Sequence, residues 1–359
     1  MIIGFDGRYA EDDLVGIGKY IQSLVGGVVK RGAKCIVFYT KRPKYIIPCT
    51  EVVILHSQNR YLFEQLLLPW ALKKYKVNLY HATGNVGVPI FCPIPVVLTV
   101  HDIIPLEIKD YFSFSLLPIV SKLSYRLRLT SSVAKSTKIV TDSKYVMQQL
   151  VKYLPVSSQK IQTIYCGSPE ILKPDKLPQN LVGQKYVLDH GGIDLRKNLD
   201  RLIEAFAEVH NRHSEIKLVI TGNNPKIKQE LTELCTKLHL TEVVVFTGYL
   251  EEKVLRAVIK NALLICYPTL SEGFGFPVLE AFGLGVPVIT SNISAIPEVA
   301  GQAALLINPK NIGEITTAIN KVLANKKLAV YMVLKGKAEY NRFSWIKCID
   351  EYINLYNNI

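Results

Sequence analysis

The 359-residue chain is 49% hydrophobic and 20% charged, a globular balance that argues against disorder and, at this length, predicts two domains rather than one core. Its seven cysteines, Cys35, Cys49, Cys92, Cys166, Cys235, Cys266 and Cys348, are odd in number and form no C-x-x-C pair, which argues against a disulfide framework or structural zinc and for a reducing compartment. The net charge of +13 is uneven: residues 1–170 hold 21 Lys and Arg against 11 Asp and Glu, residues 171–359 hold 22 against 19, and the first half therefore carries a field suited to anionic ligands, nucleic acid or acidic headgroups.

The start, MIIGFDGRYAEDD, has no basic n-region and reads as a first strand rather than a signal peptide. No apolar run approaches the roughly 18 to 20 residues that span a bilayer, so a cytoplasmic location is expected, with a peripheral position on the inner face of a membrane left open. Strand-like runs follow at 2–5, 35–39, 52–55, 78–81, 96–100 and 138–141, alternating with longer periodic segments in the manner of parallel α/β folds. Gly16 and Gly18 precede an apolar-periodic stretch, where backbone amides at a helix start could meet an anion. A dinucleotide fingerprint would require a third glycine where the chain has Ile21. His101 and Asp102 follow the strand PVVLTV directly, which puts them at a carboxyl end.

Within 111–129, YFSFSLLPIVSKLSYRLRL interleaves aromatics and leucines with Lys122, Arg126 and Arg128, and reads either as a membrane-surface or lipid-linked-acceptor face or as an ordinary packed helix. Residues 166–185, with three prolines and no sustained period, read as the interdomain linker.

The alternation then restarts with YVLDH, IKLVIT, VVVFTG, ALLICYP, PVIT and AALLI. Between the first two, Leu199, Leu202, Ile203 and Phe206 form one helical face. HGGIDLRKN places Arg196, Lys197 and Asn198 at that helix start, where the dipole disfavours cations by up to about 1 kcal/mol, so the pair is expected to hold an anion such as phosphate. In SEGFGFPVLEAFGLGVPVIT, Glu272 falls in a strand-to-helix loop and Glu280 at the end of the first turn after Pro277. A glycosidase pair would need carboxyl groups roughly 5 to 9 Å apart, but this placement suits two acids serving separate parts of one elongated ligand. No D-x-D occurs to hold a divalent metal on a diphosphate. The final segment, FSWIKCIDEYINLYNN, has Trp345, Cys348, Ile349, Tyr352 and Tyr356 on one side.

Together, SEGFGFPVLEAFGLGVPVI, GGIDLRKNLDRLIEAF, VTDSKYVMQQL and the His-Asp after the fifth strand resemble retaining glycosyltransferases of family 4. The resemblance implies the GT-B fold, two Rossmann-like doubly wound α/β domains facing a central cleft. The expected boundaries are an acceptor-binding domain at 1–168 and a nucleotide-sugar-binding domain at 169–342, with a helix at about 343–359 free to pack back on the first. It further implies that Arg196 and Lys197 neutralise the diphosphate, aided by amides near Gly16 and Gly18. Glu272, with Gly273, Phe274, Gly275, Phe276 and Pro277, would hold the transferred sugar, and Glu280 the ribose. Gly248, Tyr249 and Leu250 would flank the base, and His101 would approach the sugar, so that Glu272, His101 and Lys197 form the catalytic group. Where many members have an arginine two positions after the glycine that opens the phosphate block, this chain reads GGIDLRKN, leaving Arg196 beside Lys197 to do that work.

The implied activity is front-face transfer of a glucose- or mannose-type hexose from a UDP- or GDP-sugar to a glycan or lipid-linked acceptor, with no metal, no other cofactor and no nucleic-acid partner. Anionic membrane contact is left open. The competing readings are a nucleotide-sugar 2-epimerase of the same fold, which should lack the E-x7-E loop, a dehydrogenase, which should have the third glycine, and a non-enzymatic basic binding module, which would need aromatics interleaved with its cations.

Overall fold

Short β-branched runs that are apolar on both faces suit only the middle of a helix-covered parallel sheet, and they form two such sheets here. The computed structural model describes residues 1–12, 16–108, 111–112 and 117–359. The chain divides into one unit of Met1–Gly167 with Phe343–Ile359 and another of Ser168–Arg342. Within the basic stretch 111–129, residues 113–116 lie outside the described residues.

In the first unit the strands are β1 (Ile2–Asp6), β2 (Lys34–Tyr39), β3 (Glu51–Ile54), β4 (Leu79–Ala82), β5 (Val96–Val100), β6 (Lys138–Thr141) and β7 (Ile161–Thr163). They pair in parallel in the order β3-β2-β1-β4-β5-β6-β7. The order reverses direction between β1 and β4, and at such a switch point the loops leaving the carboxyl ends diverge to opposite faces and open a crevice. The core joins Phe38, Leu72, Leu98, Leu129 and Ile139 around this sheet.

The helix Trp345–Asn357 belongs to this unit and packs on the helix Ile17–Lys30. Gly27 makes the approach: a Cβ there would lie 1.9 Å from Ile349 Cδ1. Three buried polar side chains, Tyr20, His81 and Thr99, meet the same helix. Tyr356 Oη lies 2.7 Å from His81 Nδ1, and Thr99 Oγ1 lies 2.7 Å from His81 Nε2, 3.0 Å from Tyr20 Oη and 3.2 Å from Tyr352 Oη. Burial holds the His81 imidazole down at about 3, so it is a neutral hydrogen-bonding ring.

In the second unit the strands are β8 (Lys185–Asp189), β9 (Ile216–Thr221), β10 (Val244–Gly248), β11 (Leu264–Tyr267), β12 (Val288–Ser291) and β13 (Leu305–Ile307), in the order β10-β9-β8-β11-β12-β13. Here the switch point falls between β8 and β11, where Leu264 pairs with Val187 and Ile265 with Leu188. The helix Leu199–His210 covers one face through Leu202, Ile203 and Phe206.

Candidate active site

At the β8–β11 switch point the loops bring together side chains 75 positions apart. Lys197 ends a tight turn after β8 and Tyr267 ends β11, while Glu272 lies in the loop before the helix Phe276–Gly283. Lys197 Nζ donates to Glu272 Oε1 at 2.7 Å and to Tyr267 Oη at 2.6 Å, and Thr269 Oγ1 donates to the same carboxylate oxygen at 3.1 Å. Tyr267 also donates its hydroxyl to Glu272. On the other oxygen, Arg196 Nη1 reaches Oε2 at 2.6 Å.

Burial would push the Glu272 carboxyl up, but Lys197 and Arg196 outweigh it and hold it down at about 2. Burial lowers the Lys197 ammonium, and Arg196 adds to that effect against the pull of Glu272. The cations disfavoured by the helix dipole therefore already have an anion, the Glu272 carboxylate. Oε1 is saturated by three donors, whereas Oε2 has room for a further donor such as a sugar hydroxyl.

Two backbone devices hold this turn. Asn198 is left-handed at φ 60° and buried, and its amide donates to the carbonyls of Pro268 at 3.1 Å and Pro309 at 2.7 Å. Gly222, after β9, lies with φ +106° directly against Gly192 and Ile193.

Glu280 sits in a second, separate cluster. Arg256 Nη2 bonds Glu280 Oε1 and Glu252 Oε1, each at 3.0 Å, and His190 Nε2 stands 3.4 Å from Glu280 Oε2. At that separation the contact is not an aligned hydrogen bond, and neither ring nitrogen of His190 has a hydrogen-bond partner among the described residues. Burial raises the Glu280 carboxyl, but His190 and Arg256 bring it down to about 2. Arg256 is buried with Nε and Nη1 unpartnered among the described residues, so this cluster has donors to spare.

Gly275 adopts φ +133° as the cap of the helix Phe276–Gly283, Pro277 lies in its first turn, and Phe274 is buried edge-to-face on Phe276 at 5.2 Å. The backbone of Gly273 is carried along by Glu272, whose carbonyl accepts from Ala295 N at 3.3 Å. Gly248, Tyr249 and Leu250 lie at the end of β10, the edge strand, with β9 between it and β8. Gly222 N donates to Gly248 O at 2.9 Å, and Tyr249 is exposed.

In the first unit Gly16 caps the helix Ile17–Lys30 at φ +48°, with Gly18 buried in its first turn. His101, after β5, departs from expectation. Its Nδ1 lies 2.6 Å from Asp142 Oδ2 and its Nε2 2.9 Å from the Thr83 carbonyl. Because a carbonyl and a carboxylate both accept, the ring is a paired imidazolium. Burial alone would lower it, but Asp142 outweighs burial and raises it. Both nitrogens are spent inside the unit, so His101 reaches a sugar only by giving up the Thr83 carbonyl. The VTDSKYVMQQL motif now has a local meaning: Asp142 holds His101, and the Ser143 hydroxyl caps the helix Lys144–Tyr153 by accepting from Val146 N at 3.2 Å.

Sequence reasoning missed several groups. At the β1–β4 switch point, Arg8 binds Asp6 at 2.7 Å and Glu64 at 2.8 Å, and Thr83 Oγ1 donates to Asp6 O at 2.6 Å. Asp189, the last residue of β8, is fully buried, accepts from Gly191 N at 2.8 Å through Oδ1, and has no partner on Oδ2 among the described residues. Burial lifts its carboxyl from 3.8 to about 6. An acid closing an apolar strand was the available signal for Asp6 and Asp189, with His190 following the second directly.

A raised acid contributes stability while protonated and loses it as pH climbs from its unfolded value through about 6. Asp189→Asn keeps the acceptor for Gly191 and removes the charge. It is expected to raise stability at pH 7.5 by on the order of 2 to 3 kcal/mol and to change little at pH 4. Urea titrations at the two pH values measure this, and an equal effect at both would refute it.

The family described as Glycosyl transferases group 1 matches residues 174–339, and Glycosyltransferase Family 4 matches residues 15–169. The chain belongs to the GT-B glycosyltransferases. This glycosyltransferase is 28% identical over 302 residues to O-antigen chain mannosyltransferase B of Escherichia coli, covering 80% of this chain and 76% of that one. Its fold is similar to sucrose-phosphate synthase from Thermosynechococcus elongatus, with TM-score 0.80 and 17% identity over 100% of this chain and 98% of that one. It is also similar to HepE of Anabaena, solved with UDP and glucose, with TM-score 0.79 and 16% identity over 100% of both chains. Among the described residues of the glycosyltransferase, no helix is long and apolar enough to cross a membrane, and no group of three or more His, Cys, Asp or Glu side chains could hold a metal ion.

Proposed function

We propose that the chain is a retaining, metal-independent hexosyltransferase whose donor is a UDP- or GDP-sugar and whose acceptor is a hydroxyl of a growing polysaccharide or glycolipid, whether free or lipid-linked. The observation that carries the reading is the convergence of Arg196 and Lys197 with Glu272 at the β8–β11 switch point. Among the hexoses, mannose is favoured by the O-antigen chain mannosyltransferase to which the chain is similar.

A nucleotide sugar leaves as a nucleoside diphosphate, so negative charge grows on the phosphate oxygen as the bond to the anomeric carbon lengthens. Lys197, held in a low-dielectric position, stabilises that charge more in the transition state than in the ground state. The acceptor oxygen bonds the anomeric carbon on the departing face, and its proton passes to the leaving phosphate oxygen. No second carboxylate is needed as base. Glu272 fixes both cations and offers Oε2 to a sugar hydroxyl, the Gly273–Gly275 backbone lies along the sugar, and Glu280 with Arg256 receives the ribose end. Gly248, Tyr249 and Leu250 flank the base. In the first unit, Gly16 and Gly18 present backbone amides at a helix start, and His101 is fixed by Asp142 and the Thr83 carbonyl.

Thermal unfolding in the presence of UDP, GDP and their sugars tests the donor. A matching nucleotide at a hundred times its Kd should stabilise by about 2.7 kcal/mol, and the others not at all. EDTA should leave both the shift and the turnover unchanged. Failure of every nucleotide to raise the melting temperature would overturn the donor assignment, and a rate that vanishes with EDTA would overturn metal independence.

A further inference from the structure

Two helical segments of the first unit turn large apolar side chains outward on neighbouring ground. Residues 60–74 expose Tyr61, Leu66 and Trp70, and the helix Pro118–Lys135 exposes Ile119, Leu123 and Leu127 at i, i+4 and i+8. Ile119 is 84% exposed and Phe91, on the loop between β4 and β5, 85%. The segments touch: Arg128 Nη2 lies 3.3 Å from Glu64 Oε1 with its guanidinium 5.9 Å from the Tyr61 ring, Ile90 N donates to Gln65 Oε1 at 2.8 Å, and Lys135 Nζ stands 6.0 Å from the Phe91 ring.

The helical segment 60–74 is irregular for a local reason. Pro69 has no N–H to give the preceding turn, and the chain widens into a π-turn over Phe63–Leu67 just ahead of it.

The charge on this ground has one sign. The two segments carry Arg60, Lys73, Lys74, Lys122, Arg126, Arg128 and Lys135 against one acid, Glu64. That acid is buried and held by Arg8 and Arg128, so it does not offset the exposed cations. A second copy of the same face would set like charges against each other, whereas a surface of phosphates above acyl chains complements both the cations and the apolar ridge.

We propose that this face seats the protein on an anionic lipid bilayer, with Phe91, Ile119, Leu123 and Leu127 among the acyl chains and Lys73, Lys74, Lys122 and Arg126 on headgroup phosphates. Trp70 and Tyr61 occupy the interfacial level that amphipathic rings prefer. The assignment is independent of the catalytic reading.

The test is flotation of the full chain with phosphatidylcholine vesicles, with and without phosphatidylglycerol. Binding is expected only with the anionic lipid and weakens as salt is raised. The triple variant Phe91→Ser, Ile119→Ser, Leu127→Ser should lower the partition coefficient about tenfold or more, and Lys122→Glu with Arg126→Glu should abolish the preference for phosphatidylglycerol. Leu334→Ser, which alters an equally exposed apolar residue of the second unit, should bind as the parent does. Circular dichroism and melting temperature verify that each variant is folded. The proposal fails if the parent ignores anionic vesicles, if the folded triple variant floats like the parent, or if sedimentation shows a dimer that the triple variant dissolves.

Discussion

Lys197→Ala is expected to lower kcat by about 10² to 10³ while leaving the protein folded. Of the two cations on Glu272, Lys197 is the buried one, with its side chain 4% exposed against 25% for Arg196. Field strength rises as water is excluded, so Lys197 should contribute more to stabilising a departing diphosphate than its neighbour does. The fold survives because Arg196 still faces Oε2, and Tyr267 and Thr269 still donate to Oε1, which leaves no carboxylate orphaned.

Glu272→Ala should silence transfer by another route. It leaves Lys197 buried beside Arg196 without its hydrogen-bonded carboxylate, which pushes the ammonium further down. Steady-state kinetics with donor titration separate these effects from simple loss of binding. A folded Lys197→Ala enzyme within tenfold of the parent kcat would remove Lys197 from the chemistry.

The second large effect concerns stability. Gly222→Ala should destabilise the protein by about 3 kcal/mol, because two costs coincide. The residue sits at φ +106°, where a side chain is strained, and the new Cβ would lie 2.7 Å from Gly192 Cα and 2.9 Å from Ile193 N. Neither neighbour can rotate away, being backbone, so the 191–198 loop must move and take Arg196 and Lys197 with it. Gly183→Ala is the control: its φ is +75° but nothing lies within 4 Å of the added atom, so only strain remains, about 1 kcal/mol. Melting curves should rank parent, Gly183→Ala and Gly222→Ala in that order. Equal shifts for the two alanines would show that contact with the loop is immaterial.

The strands were legible because each is a short apolar run bounded by turns, and every run named from 2–5 to AALLI corresponds to a strand. β7 escaped notice since Ile161–Thr163 is too short to show a period. In the candidate site, Arg196, Lys197 and Glu272 could be picked out because glycines and a helix start surround them. Arg256 could not be, for it looks like any helical arginine until Glu280, 24 positions on, meets it. Asp6 with Arg8 and Glu64 was hidden in the same way, by a separation of 56 positions. The double engagement of His101 was also invisible, since Thr83 contributes through a carbonyl, a group every residue has.

The return of residues 343–359 to the first unit fixes an order of assembly. Tyr20 finds its hydroxyl partner on Tyr352, 332 positions later, so this unit closes only after the whole of Ser168–Arg342 has left the ribosome. The second unit is continuous and can condense while synthesis proceeds. A nascent chain therefore carries a finished Lys197–Glu272 cluster while its N-terminal sheet still waits for the helix Trp345–Asn357.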